Sequence, residues 1–202
     1  MPEVKDRIIA RIRARGRGRV YVAKDFLDLG DRAAVDQVLS RMARDGTLRR
    51  LGRGLYDYPK HNVRLGIDVM PEADRVAEAI ARRRGSQVQR SGAFAANGLG
   101  LTTQVPGRDV YLTDSSSAKV PVGKRTLTLK HAAPKGIATG DKVVGPVLQA
   151  LYFLGKDGIS EDVITRLRGM LSAKDKEKLL KQSRYAVGWL ADAVHRVALE
   201  QG

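Results

Sequence analysis

The sequence predicts an α+β fold in two parts, and three observations carry that reading. Apolar residues recur at i, i+3, i+4, i+7 spacing near both ends of the chain, as they do on one face of a helix. Stretches at 47–58 and 109–131 alternate apolar and polar residues around polar turns, as short strands do. Positive charge is concentrated early: 16 Lys and Arg face 8 Asp and Glu up to residue 64, against 21 and 14 in the remainder. That change in density, with Pro59 and Pro71 bracketing KHNVRLGIDVMP, predicts a domain over 1–60, a linker over 61–71 and a domain over 72–202.

In the first part, Val4, Ile8, Ile9 and Ile12 predict a helix from about residue 3 to 15, stopped by the glycines of RGRGRVYV. Val20 to Val22 form a short β-prone piece. A two-turn helix follows in AKDFLDLG, with Ala23, Phe26 and Leu27 on one face and Gly30 closing it. Asp31 suits the N-cap of the next helix, because its carboxylate can accept free backbone N–H groups. That helix, DRAAVDQVLSRMARDG, carries a stripe of Val35, Val38, Leu39 and Met42. Its other face holds Ala33, Gln37, Ser40 and Arg44, flanked by Arg32, Asp36 and Arg41. After Gly46, TLRRLGRGLYDYP predicts two strands, at 47–51 and 55–58, joined through Gly52-Arg53-Gly54.

The second part opens on a helix in EADRVAEAIARRRG, with Val76, Ala77 and Ile80 inward and Arg82, Arg83 and Arg84 at its end. A short apolar helix lies in RSGAFAANGLG. Strands follow in RDVYLTDSSSAKV, with Val110 and Leu112 on one face, and in KRTLTLKHA, with Leu127 and Leu129 on one face. Four helical stretches complete the chain, from residue 141 onward. Tyr152, Phe153 and Trp189 fall in apolar helical stretches and read as core.

Composition narrows the function. Of 202 residues 37 are Lys or Arg and 22 Asp or Glu, a net charge of +15 that predicts attraction to polyanions. The sequence has no cysteine, which excludes disulfides, thiolate nucleophiles and cysteine-bound zinc. No apolar run approaches the ~20 residues that cross a bilayer, and charges interrupt the N-terminus throughout; the expectation is a cytoplasmic, nucleoid-associated protein. His61, His131 and His195 lack ligand spacing, GLGLTTQVPGR matches no phosphate-binding fingerprint, and nothing joins a nucleophile to a base and an orienting group. No cofactor, metal or catalytic residue is expected.

Two helices joined by Leu29-Gly30-Asp31, then a β-hairpin, have the order of a winged helix-turn-helix, whose second helix enters the major groove. The expected contacts to double-stranded DNA are Arg32, Gln37, Ser40, Arg41 and Arg44 from the helix, with Arg49, Arg50 and Arg53 from the hairpin. Gln37 suits adenine edges, and arginines suit guanine edges or phosphates. Arg82, Arg83, Arg84 and Arg90 form either a second basic surface or a charged helix end favoured by the macrodipole. The arginines at 11, 13, 15, 17 and 19 either add phosphate contacts or make a solvated basic face.

The run from Val22 to Pro59, and GRGLYDYP above all, resembles the N-terminal winged helix of AbiEi-type antitoxins of type IV toxin–antitoxin systems. The resemblance implies a bacterial antitoxin that binds inverted repeats in its own promoter, represses its operon, and counters a nucleotidyltransferase-like toxin, with or without binding it. A ligand-responsive winged-helix regulator without a toxin partner, and an RNA-binding module, are the alternatives.

Overall fold

A computed structural model describes residues 3–123, 125–132, 141, 143–184 and 186–199. The chain is a mixed α+β protein that divides into two compact units. The first comprises residues 1–88 with 118–128, the second 89–117 with 129–202.

In the first unit, helix α1 (Val4–Arg15) buries Ile8 and Ile12 and ends at Gly16, whose φ of 78° suits a residue without a side chain. Strand β1 (Val20–Tyr21) leads into a single 3-10 turn, Ala23–Phe26, rather than a two-turn helix. The difference decides which residues are inside. At three residues per turn Ala23 and Phe26 stack on the buried side, and Leu27 rotates outward to 43% exposure. Asp25 caps this turn from within, accepting the Val22 N–H at 3.0 Å.

Helix α2 (Arg32–Arg44) begins where Asp31 accepts the Ala34 N–H at 2.8 Å. It buries Val35, Leu39 and Met42, with Val38 partly covered. Strands β2 (Arg49–Gly52) and β3 (Leu55–Asp57) follow, and the three strands pair antiparallel in the order β1-β3-β2. Val20 stands opposite Asp57 and Tyr21 opposite Tyr56 on one side of β3; Arg49 and Arg50 face the same two residues on the other. The ladder shifts between Arg50 and Gly52, and only Gly54 in the turn takes a positive φ, 67°. Ile8, Ile12, Tyr21, Phe26, Val35, Leu39, Met42 and Leu48 form the core between these helices and strands.

The segment expected as a linker is structured. Strands β4 (Lys60–Asn62) and β5 (Ile67–Val69) form an antiparallel hairpin, with His61 opposite Asp68 and their side chains 3.1 Å apart. Helix α3 (Ala73–Arg84), whose buried residues include Val76, Ala77 and Ile80, also belongs to this unit, as does strand β8 (Ala118–Val122). Strands β6 (Val88–Arg90) and β9 (Arg125–His131) pass from the first unit into the second.

The second unit holds α4 (Gly92–Gly98), β7 (Val110–Thr113), α5 (Val144–Gly158), α6 (Glu161–Met170), α7 (Ala173–Ser183) and α8 (Gly188–Ala198). Gly92 brings α4 against α5, since a Cβ there would collide with the Gln149 carbonyl and Phe153 Cβ. Ser160 and Ser172 cap α6 and α7 through their hydroxyl oxygens. The core joins Val144, Val147 and Leu151 to Ile164, Leu167, Leu179, Val194 and Val197.

In β7 Val110 and Leu112 share one half-buried face, and the opposite face buries Tyr111 and Thr113. One expectation is corrected here. Tyr152 and Phe153 are 63% and 46% exposed. Leu151 takes the core side of α5, and the next two residues rotate about 100° and 200° away from it. Tyr152 instead lies beside Trp189, ring centroids 6.1 Å apart.

Candidate nucleic-acid interface

The outer face of α2 follows from its inner one. With Val35, Leu39 and Met42 buried, Arg32, Gln37, Arg41 and Arg44 are exposed and Ser40 is half-buried. Arg32 is engaged, donating from Nε to Asp36 one turn along at 2.7 Å. Among the described residues, Arg41, Arg44 and Gln37 make no side-chain hydrogen bond or ion pair.

The hairpin separates its arginines by strand alternation. Arg50 points to solvent, and Arg53 is exposed in the turn. Arg49, expected as a DNA contact, lies on the face of the buried Leu51 and is engaged within the sheet. Its Nε and Nη2 donate to the two carboxylate oxygens of Asp57, at 3.0 and 2.6 Å, and Asp57 is fully buried. The same guanidinium donates to the Val69 carbonyl at 2.8 Å and the Asp68 carbonyl at 3.4 Å. Arg49 thus clamps β2 to β3 and both to the root of the β4–β5 hairpin. Burial pushes the Asp57 carboxyl up and Arg49 pulls it back, while the pair raises the Arg49 guanidinium.

The arginines of the possible second basic surface are also engaged within the protein. Arg82 donates to both oxygens of Asp25, at 2.9 and 3.3 Å, and to the Val20 carbonyl at 2.9 Å. Arg83 donates to the Arg53 carbonyl in the turn, and burial lowers its pKa, with Arg84 and Arg53 adding repulsion. These two side chains tie α3 to β1, the 3-10 turn and the β2–β3 turn within the first unit. Arg84 has a partner as well. Arg90 belongs to the second unit, where it lies over the Phe94 ring at 5.3 Å.

The N-terminal arginines divide in the same way. Arg11 makes a two-pronged pair with Asp28 at 2.7 and 2.6 Å, and Arg17 stacks over Tyr58 while donating to the Pro59 carbonyl. Arg13, Arg15 and Arg19 are exposed. Sequence reasoning missed the roles of Asp25 and Asp57, the carboxylates that hold Arg82 and Arg49. The available signal was that Asp57 is the only acid in TLRRLGRGLYDYP.

His61 faces Asp68, and His131 Nδ1 lies 3.1 Å from the Ser115 carbonyl. Among the described residues no three His, Asp or Glu side chains gather where they would hold a metal ion. No helix among them is long and apolar enough to cross a membrane.

The molecule is therefore an α+β protein whose first unit presents one capped amphipathic helix and an arginine-tipped hairpin. Residues 7–179 match the family described as "Family of unknown function (DUF6088)", and the chain belongs to that family. No curated protein matches it.

Proposed function

We propose that the first unit is a winged helix-turn-helix that binds duplex DNA, and that the protein is a promoter-binding antitoxin opposing a nucleotidyltransferase-like toxin. One observation supports the DNA half above others: the arginines are sorted. Arg11, Arg49 and Arg82, which bridge separate elements of the first unit, each have a carboxylate partner. Arg41, Arg44, Arg50 and Arg53 have no acidic partner among the described residues, and they occupy the outer face of α2 and the hairpin. Unpaired arginines beside an exposed Gln37 are what phosphate anchoring and base-edge reading require. In this reading α2 enters the major groove, with Gln37, Arg41 and Arg44 nearest the bases and Ser40 and Arg32 at its margins. Arg50 and Arg53 lie along the adjoining phosphates.

The test is binding to the DNA upstream of the gene, against random duplex, across a salt series. The expected result is upstream-selective binding with log K falling on log salt at a slope of roughly −5 to −10. Arg53→Ala should weaken binding to both duplexes and flatten the slope by about 1, whereas Gln37→Ala should reduce the preference for the upstream site. Equal, weak binding to both duplexes would remove the DNA reading. The antitoxin half is supported by the resemblance of the hairpin sequence. Co-expression of this protein with an adjacent nucleotidyltransferase-like gene should restore growth that the neighbouring gene alone arrests, and continued arrest would remove that half.

A further inference from the structure

The first unit carries a second arginine cluster that the α2 face does not include. Between the end of α1, strand β1 and α3 lies a cleft of about 460 Å3. Its walls hold Arg15 and Arg19 from the α1–β1 segment and Arg75 and Arg82 from α3, together with two carboxylates, Asp25 and Glu78.

These groups are not equivalent. Asp25 is fully used, accepting from Arg82 and from the Val22 N–H. Arg75 is held in place by donating to the Gly18 carbonyl at 2.9 Å, with Glu72 3.7 Å from its Nε. Arg15 and Arg19 have no acidic partner among the described residues and are exposed. Burial raises the pKa of the Tyr21 phenol in the cleft floor, and the charges of Arg15 and Arg19 oppose that rise, so both lie near the floor. Arg75, Glu78 and Arg82 follow one another at helical spacing on a single face of α3. Four guanidiniums line the cleft against two carboxylates, with Glu72 a third beside Arg75, so the cleft keeps a net positive charge that an anion would offset.

We infer that this cleft binds a phosphate group, held chiefly by Arg15, Arg19 and Arg75. A guanidinium fork offers paired donors that match phosphate oxygens, and three forks arranged around one opening suit a tetrahedral anion. Glu78 weakens the site from the α3 side. The phosphate is either a backbone phosphate of a nucleic acid or that of a free small molecule, and the inference does not rest on α2 reading DNA.

Thermal unfolding of the full chain, with sodium phosphate titrated against sodium chloride at equal ionic strength, tests the site. Phosphate well above its dissociation constant should raise the Tm of the wild type by about 3–5 °C. The double variant Arg15→Ala/Arg19→Ala, altered only at exposed positions, should lose most of that rise. Glu78→Gln should enlarge it. Lys181→Ala/Arg184→Ala in the second unit removes the same charge elsewhere and should keep it, which accounts for the general stabilising effect of phosphate on folded proteins. A rise of equal size in all four proteins overturns the inference. Duplex binding by the same variants then separates the sources. A salt slope flattened by about 2 in the Arg15/Arg19 variant assigns the site to backbone phosphate, and an unchanged slope assigns it to a free phosphate. Should no variant bind duplex at all, the DNA reading fails while the thermal shift still decides the cleft.

Discussion

Two aspartates, one in each unit, hold a basic side chain, and their acidities move in opposite directions. Asp57 in the first unit is fully buried under a two-pronged contact from Arg49, and burial wins, so its pKa rises. Asp141 in the second unit stands at the start of α5. It accepts the Val144 and Val143 N–H groups at 3.0 and 2.9 Å and the Lys178 ammonium at 2.9 Å, and its pKa falls to about 2. Both carboxylates face a cation at short range. What differs is the surroundings: burial penalises the charge of Asp57, whereas two backbone donors and the Lys178 ammonium reward that of Asp141. A cation at short distance favours the charged carboxylate in both, but it does not say whether burial outweighs that favour.

The largest expected effect comes from breaking the first of these pairs. Arg49→Ala leaves a buried carboxylate without its cation and should cost about 3 kcal/mol or more in a urea melt. Replacing both partners with apolar residues, as in Arg49→Met/Asp57→Leu, should recover much of that loss, because it removes the stranded charge along with the pair. A small loss of stability in Arg49→Ala with a collapse of duplex binding would return Arg49 to the DNA interface and undo the contrast.

Asp141→Ala is the matching test in the second unit, with a smaller effect. Loss of a cap at the start of α5 should cost about 1–2 kcal/mol at neutral pH. The folded pKa of about 2 lies below the ordinary carboxylate value of 3.8, so the contribution is complete above the latter and disappears as pH falls toward the former. Urea melts of wild type and variant should differ by a constant amount at neutral and mildly acidic pH and converge toward pH 2. A difference that persists undiminished to that pH would mean that the carboxylate charge is not what caps the helix.

Much of the fold was legible because its signals are local. The 3.6-residue stripe of α2, the Asp31 cap and the glycine-flanked turn all lie within a few residues of what they determine, and so do the four C-terminal helices. The candidate interface was legible only as a list of arginines. Which of them are free depends on register and on distant partners. Arg49 meets Asp57 because β2 and β3 pair in one particular register, and Arg82 meets Asp25 across 57 positions. The β4–β5 hairpin was missed for another reason. Its strands are three residues long and include His, Asn and Asp, which give no strand signal, and their pairing is supported by the carbonyl contacts of Arg49. Tyr152 and Phe153 were misplaced because an apolar helix does not reveal by composition which of its sides is covered.

The smallest effect concerns Arg32, which sits between the two groups of arginines. It is paired like Arg49, but with an exposed partner one turn along its own helix, and the two side chains are 58% and 48% exposed. An exposed pair of that spacing contributes roughly 0.3–0.5 kcal/mol, less when the cation is N-terminal to the acid as it is here. Asp36→Ala should therefore leave the melting curve nearly unchanged while releasing the Arg32 guanidinium. If α2 lies in the groove as proposed, the variant should bind duplex more tightly, with a salt slope steeper by up to about 1, and Arg32→Ala should shift both the other way. If neither variant moves the slope, Arg32 leaves the proposed interface, and base reading falls to Gln37, Arg41 and Arg44.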